Sequence, residues 1–417
     1  MKPDHSWSET GATSQTSAPL DLRIHRNCHS LYSAIMDRGR ITLDREHDDG
    51  VGIQYSQDGC VHFSCVPGIG DDSVSSALEL LRGDLGEASY FNVGLGPDLH
   101  VSVRGHDHRD YLSKLSSLES AILQVRELTP SIQIENRRVV IQEISDVSAV
   151  HDFEWSTDSQ LRQHWRLCIS DVLRGRRRYI SNRDRCFGSL EEIVEQVPQE
   201  SGRIASSDSL SIPPVALVSG HVMAEILRRS WIGTIDIALR GAISSDIDLD
   251  FDSGIGRPGA RQFDDLGMPI KSVPILRSGN LANEFNDGRQ LLQTILVPLR
   301  QHYRVASTGS AAGIRLQNLS SASSADNPIN RSHEWVIDGI GSIGGLGDSS
   351  RLVLTGRVDH GDDVYRPLPQ ELEISLQSLL HSIIYLQGDL AHSVGVVSAS
   401  SQSAAIVTTG LNWVSES

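Results

Sequence analysis

Two histidine–carboxylate patterns in this chain have side chains and spacings that could do chemistry. His221 and Glu225 stand four residues apart in a stretch of helical periodicity, a spacing that puts both on one side of a helix and can hold a metal ion. His106-Asp107-His108 puts two imidazoles on one face of an extended chain, which some metal sites require. Ligand number counts against both, because zinc is held by three or more protein ligands and neither pattern supplies a third. The plainer reading of His221 and Glu225 is a surface or first-turn pair. For His106 and His108, set between Gly105 and Arg109-Asp110, it is a solvated polar loop. His25 with His29 is a similar pair. The acidic turn Asp359-His360-Gly361-Asp362-Asp363 lacks the alternating ligand spacing of an EF-hand.

Other catalytic signatures are missing from the text of the sequence. It holds no G-x-S-x-G elbow, no P-loop, and no strand-linked G-x-G-x-x-G followed by an acidic residue. Gly339-Ile-Gly341-Ser-Ile-Gly344-Gly345 has enough glycines but sits between strand signals. It reads as a turn or as backbone lying close to a peptide, which makes Gly341, Gly344 and Gly345 candidate peptide-binding positions. The basic run Arg174, Arg176, Arg177 and Arg178, with Arg183 and Arg185 beyond it, is either a solvated face or a docking patch for an acidic partner surface or peptide. Cys28, Cys60, Cys65, Cys168 and Cys186 are odd in number, irregular in spacing and confined to the first half. Neither a disulfide framework nor a zinc ribbon follows from them.

The 417 residues leave room for two domains, each with a core of its own. Hydrophobic content of 39%, charged content of 22% and a mean hydropathy of −0.21 are those of a globular protein. No apolar run approaches the roughly 20 residues that span a bilayer, so no membrane is expected as a partner. A net charge of −16 argues against nucleic acid, which selects basic surfaces. Residues 1–20 are Ser/Thr-rich without a basic start or an apolar core, so they read as a disordered lead-in rather than a secretory signal, and the expected compartment is the cytoplasm.

Elements must then position these groups. Val51–Tyr55, the Gln57-Asp58-Gly59 turn and Cys60–Phe63 predict a hairpin. Asp71-Asp72-Ser73 caps a helix marked by Val74, Ala77, Leu78, Leu81 and Leu85. A second helix is predicted over Tyr111–Leu128, and strands over Gln133–Ile134 and Arg138–Ile144, continuing through Val147–Trp155. Leu161–Leu173 reads as mixed, and Ser189–Val197 as a short helix. The polar, proline-ended segment Pro198–Pro214 marks a boundary, giving an N-terminal α+β domain at 21–200 and a β-rich domain at 212–417. The latter opens with the buried-strand run Val215–Val218 and a helix over His221–Arg229. It continues with strands at Glu334–Ile337 and Leu352–Val358, a strand passing into a helix over Glu371–Leu386, and two closing strands.

Between these lies the stretch Asp252–Asp287. Asp264-Asp265-Leu266-Gly267 makes one turn and Arg277-Ser278-Gly279-Asn280 another, with the extended run Pro269–Leu276 between them. Together with Ser278, Gly279 and Leu281, this pattern resembles the C-terminal domain of the TldD/TldE (PmbA) family, in which an Asp-(Asp/Glu)-x-Gly-x-Pro turn precedes a strand and an (Asp/Glu/Ser)-Gly-x-Leu turn. The order Gly356, Pro367, Glu373-Ile374, Leu379-Leu380, Ile383 and Gly388-Asp389 before a last apolar strand resembles it too. The likeness covers roughly Val215–Val414, and only the hairpin-then-helix extends it to the first half, where Gln54 replaces the usual Arg.

That resemblance implies an α+β fold with antiparallel sheet in its second half. The family contains a zinc peptidase subunit and a paralogue without the metal. In catalytic members a His-Glu-x-x-x-His motif lies on the helix after the strand matched by Val215–Val218, and a downstream Cys completes the site. Counted from that strand, the His positions fall near Leu227 and Ile232 and the Glu on Arg228, and no cysteine follows Cys186. The chain therefore resembles the TldE-like subunit, expected to carry no catalytic residues and no cofactor. Zinc is expected in a TldD-like paralogue paired with it as a heterodimer, with a peptide as substrate. Asp264, Asp265 and Gly267 join the glycines as expected peptide-binding or interface positions. Some members of the family mature ribosomally made peptide natural products, and an Arg-biased member fits that setting. Two other readings stay open: an enzyme with a relocated metal site built from His106, His108, His221 or Glu225, and a stand-alone peptide-binding module.

Overall fold

Alternation of polar and apolar residues in the first half extends well beyond the usual strand length, and in the computed structural model it becomes a sheet of long antiparallel strands. The structure describes residues 21–57, 60–85, 111–126, 134–151, 157–173, 179–200, 203–204, 211–241, 243, 247–252, 258, 261–265, 268–282, 288–299, 303–304, 308–318, 335–345, 350–360, 364–395 and 397–415. The first sheet comprises β1 (Asp21–Asp37), β2 (Arg40–Gln57), β3 (Cys60–Pro67), β4 (Ile134–His151), β5 (Thr157–Leu173) and β6 (Tyr179–Phe187). They lie in the order β3-β2-β1-β4-β5-β6. The segment Leu161–Leu173, expected to be mixed, lies wholly within β5. Its alternation is hard to read because Arg162, His164 and Arg166 fill one face of the strand while Leu167 and Ile169 point into the core on the other.

Helices α1 (Asp71–Leu85), α2 (Tyr111–Arg126) and α3 (Leu190–Glu200) contribute to the apolar cores of this sheet. Asp71 and Asp72 occupy the first turn of α1, where the helix dipole favours negative charge. Val74, Leu78 and Leu81 of α1 meet Leu22, Ile24, Val51 and Ile53. Leu118 and Ile122 of α2 and Ile193 of α3 meet Ala34, Met36, Val139, Ile141, Leu167 and Ile169.

The second half contributes β7 (Arg203–Ile204), β8 (Val215–Val218), β9 (Asp248–Phe251), β10 (Val273–Arg277), β11 (Asn280–Leu281), β12 (Val297–Leu299), β13 (Thr308–Ser310), β14 (Gly313–Gln317), β15 (Trp335–Gly344), β16 (Arg351–Val358), β17 (Val364–Pro367), β18 (Gln370–Ser375), β19 (Ile383–Ser393), β20 (Ser398–Val407) and β21 (Asn412–Ser415). Its helices are α4 (Gly220–Arg229), α5 (Trp231–Leu239), α6 (Gly288–Ile295) and α7 (Leu376–Ser382). Strand β20 is the hub. It pairs with β19 along one edge, and along the other with β14 in parallel and β8 antiparallel. From β14 the sheet runs on through β9, β10 and β11. From β8 it runs through β15, β16, β18 and β21. The fold is α+β with a mostly antiparallel sheet. One apolar cluster, from Ala216 to Ile406 and centred on residues such as Trp335, Leu354 and Leu227, fills this half.

Two sequence expectations are corrected here. The helix expected to run to Leu386 stops at Ser382, and Ile383, Ile384 and Leu386 open β19 instead. Their spacing suits a helix equally well, and pairing with β20 decides the matter. The glycine run from Gly339 lies inside β15 rather than between strands, with register shifts between Ile337 and Gly339 and between Ile340 and Ser342. Within that glycine run the backbone takes positive φ only at Gly345, at +85°.

The stretch Asp252–Asp287 supplies the second turn in the expected form. Ser278 and Gly279 both have positive φ, 47° and 70°, as a tight hairpin turn with the sheet's twist demands. The Ser278 amide donates to Asp248 (2.9 Å) and the Gly279 amide to the Ile247 carbonyl (2.8 Å), which holds a non-glycine residue in that conformation.

Candidate functional site

Helix α4 follows strand β8 directly and carries both His221 and Glu225. Strand β8, buried between β15 and β20, delivers the chain to Ser219, whose hydroxyl accepts from the Val222 amide (3.4 Å) and caps the helix. Val222, Met223, Ala224, Ile226 and Leu227 face the core. Leu227 is fully buried, and Ile232, 59% exposed, lies on α5 beyond the break at Ser230. The two positions that would have carried imidazoles do not share a helix.

Glu225 lies on the same helix among buried residues and is held on every side. Arg228 donates Nε to its Oε2 (2.9 Å) and Nη2 to its Oε1 (2.7 Å). Arg229 Nε donates to Oε1, and Ser393 Oγ on β19 donates to Oε2. Arg228 Nε also reaches Ser393 Oγ (2.9 Å). Burial alone pushes the carboxyl up, but the Arg228 bond and charge, with Ser393 and Arg229, outweigh it and bring the pKa down to about 2. A carboxylate with both oxygens taken by guanidinium groups does not fit as a zinc ligand, nor do its neighbours on the helix.

His221, four residues earlier, faces elsewhere. Its ring lies 5.9 Å from that of Phe187 at the end of β6, in a cleft of about 750 Å³ that Glu225 does not line. The structure thus separates the two residues of the sequence pair. The cleft forms where β6 of the first half meets β19 of the second, joined among the described residues at the bridge Cys186–His392. Arg185, Cys186, Phe187, Ser219, His392 and Ser403 are among its walls. Burial, with the charge of Asp184, pushes the Cys186 thiol up to about 12, so it is no nucleophile at neutral pH.

A second polar centre crosses the first sheet. Asp48, His29, Asp146 and Arg162 stand opposite one another on β2, β1, β4 and β5 and so share a face. His29 Nδ1 lies 2.6 Å from Asp146 Oδ1, which raises the pKa of the imidazole. Burial pushes Asp146 up, but His29 and the nearby Arg162 charge hold it at about 2. Burial drives His164 down to about 4. Tyr303, from the second half, donates its hydroxyl to Asp48 (3.1 Å) and lies flat on Gly50, whose missing side chain makes the room.

The remaining sequence candidates fall in several places. Asp264 is buried and accepts from the Met268 amide (2.9 Å), and Asp265 is buried beside it. Gly341 lies on β15, where Val353 would come within 3.2 Å of an added Cβ. Gly344 and Gly345 end that strand. Gly267, His106, His108, Arg174, Arg176, Arg177 and Arg178 lie outside the described residues. Among the described residues no group of three metal-ligating side chains comes together. The positions of Ser393 against Glu225 and of His392 against Cys186 were not foreseen. Glu225, Arg228 and Arg229 carry a readable helical ion-pair spacing, but nothing in the sequence pairs residues separated by more than 160 positions.

Sequence comparison is silent: no family model matches the chain, and no curated protein does. Solved structures do match. TldE from Thermococcus kodakarensis superposes with a TM-score of 0.61 at 11% identity, covering 95% of this chain and 97% of that one. The chain has a TldE-type fold. A structure described as a candidate modulator of DNA gyrase from Thermotoga maritima matches at 0.60 and 12% identity, over 93% of this chain and 95% of its own. One so described from Bacteroides thetaiotaomicron matches at 0.56 and 13%, over 95% and 94%. The TldE-type fold therefore extends over both halves, including the first, where the sequence resemblance was thin. No helix among the described residues is long and apolar enough to cross a membrane.

Proposed function

We propose that this chain is a TldE-like, non-catalytic subunit that pairs with a TldD-like, zinc-bearing paralogue, and that the pair degrades or trims peptides. The observation that carries this reading is Glu225. Where a hydrolytic member would present imidazoles on the helix after β8, α4 presents a carboxylate sealed by Arg228, Arg229 and Ser393. The fold likeness to a TldE structure supports the same reading, although fold alone never fixes activity. In this account residues 21–200 and 212–417 are two domains, the chain works in the cytoplasm, and it completes a chamber wall in which the peptide is held as an added strand.

The test is expression of the chain alone and together with a TldD-like paralogue, followed by peptide-cleavage and zinc assays. The expected result is a one-to-one complex that cleaves peptides, with stoichiometric zinc in the paralogue only. Chelator-sensitive cleavage by the lone chain would overturn it.

A further inference from the structure

We propose that the cleft at the junction of the two sheets binds the basic side chain, lysine or arginine, of an extended peptide. The inference rests on the peptide-handling role above and adds which residue of the peptide is recognised and where. The charge of the occupant follows from which groups of the cleft lack a partner. Arg185, His221 and His392 are each engaged already. The positive end of α4 is engaged too: the Gly220 amide donates to Ser403 Oγ (3.0 Å), the Val222 amide to Ser219 Oγ (3.4 Å) and the Met223 amide to the Ser219 carbonyl (3.0 Å). The carboxylates are not. Among the described residues Glu195 and Asp389 make no hydrogen bond or ion pair, and Glu192 uses only Oε2, which accepts from the Gly188 amide (3.1 Å). All three line the cleft and are exposed at its mouth.

Two elements bring these carboxylates to one opening. Glu192 and Glu195 lie three residues apart on α3, hence on one face of the helix. Asp389 comes from the irregular part of β19, where register with β20 shifts between Gln387 and Ala391 and Gly388 takes a φ of +77°. A bulge of this kind re-aims a side chain out of the ladder. Deeper in the cleft Phe187, buried and 5.9 Å from the His221 ring, forms an apolar wall. A lysine or arginine suits that order, because its aliphatic stem lies along an apolar surface while its charged head stays among carboxylates and water. A volume of about 750 Å³ holds such a side chain with the backbone on either side of it, and is too small for a folded partner. The net charge of the whole chain, −16, draws a cation toward it.

The experiment is fluorescence anisotropy on the full chain with one labelled peptide, capped at both ends and carrying a single lysine, prepared with that lysine free and with it acetylated. The free-lysine peptide is expected to bind about fivefold tighter or more at about 0.05 M salt, the size of a few exposed ion pairs. The double variant Glu195→Gln/Asp389→Asn should bring it down to the affinity of the acetylated peptide. Raising the salt to about 0.5 M should also erase the difference, a readout that needs no variant. Equal affinity for the two peptides at low salt overturns the site while leaving a peptide-handling subunit standing. A preference that survives in the double variant does the same, and assigns the preference to the net charge of the chain. Failure of both peptides to bind the chain, alone or in complex with the paralogue, overturns the site and the peptide-handling role together.

Discussion

The two halves of the molecule bury charge in different ways. In the first, the sheet has one apolar face divided between two small clusters under helices, and a polar face carrying the row Asp48, His29, Asp146 and Arg162. In the second, a single apolar cluster runs from Ala216 to Ile406, and its buried carboxylates are clamped by arginines: Glu225 by Arg228 and Arg229, and Asp250 by Arg277 and Arg315. Guanidinium clamps occur in the first half too, on Asp171 from Arg137 and Arg183, but only there does the polar face add the imidazoles His29 and His164, whose charge changes on mild acidification whereas a guanidinium's does not. The second half should therefore tolerate acid better, and the first should be the one that responds to mild pH change.

The sharpest break in the comparison should come from the continuous core. Trp335 is fully buried with its ring edge-on to Trp413, 5.1 Å between centroids. Trp335→Ala is expected to cost about 3–5 kcal/mol, read by denaturant unfolding, and to loosen strands throughout the second half. Glu225→Gln comes next. It leaves two guanidinium groups facing a neutral amide. Because Arg229 is 47% exposed and solvent screens it, the loss should be about 2–3 kcal/mol, less than for a fully buried pair. If the variant instead gains stability, the sealed carboxylate serves something other than holding α4 to β19.

The contact between the halves is tested by Gly50→Ala. An added Cβ would meet the buried Tyr303 ring at 2.2 Å, so the variant should lose about 1–3 kcal/mol, and the loss should shrink in a Tyr303→Ala background. Tyr303→Phe removes the hydroxyl that donates to Asp48 and accepts from Arg304 Nε, and should cost about 1 kcal/mol.

The smallest effect is the pH response. His164 has a folded pKa of about 4, below its ordinary 6.5, so the stability it lends is full above pH 6.5 and fades as pH falls toward 4. His29 has a raised pKa, so its contribution is full below 6.5 and lost as pH rises through the folded value. Glu225 and Asp146, both held near 2, keep their contributions above their ordinary values of 4.5 and 3.8 and lose them as pH falls through the folded ones. Amide protection factors should therefore begin to fall in the first sheet below pH 6.5, and around Glu225 only below 4.5. His164→Gln should remove that first fall, whereas His29→Asn should lower protection by a constant amount below pH 6.5, where its contribution is full. Simultaneous loss of protection in both halves would show that they unfold as one unit.

Local chemistry was enough for much of the fold. The capped helix at Asp71, the buried strand Val215–Val218 with the helix after it, and the Arg277–Asn280 turn all follow from caps, periodicity and turn residues within ten positions of one another. Strand β5 was obscured because Arg162 and His164 on its polar face are buried, as its apolar face is, with Arg162 facing Asp146 on β4 and Arg166 facing Asp184 on β6. Strand β19 was obscured because apolar residues at three- and four-residue intervals satisfy a helix and a strand edge alike.

By itself the sequence determined that the helix after Val215–Val218 sets Glu225 at ion-pair spacing from Arg228 and Arg229, since spacing along a helix is a local property. It also determined the α+β class, through its caps and alternation. Only the tertiary structure decided that Glu225 is sealed by Ser393, that His221 turns into a cleft beside Phe187 and His392, and that Tyr303 seats on Gly50. Those contacts join segments whose separation along the chain leaves no periodic trace, because they are set by strand register and sheet packing rather than by neighbouring residues.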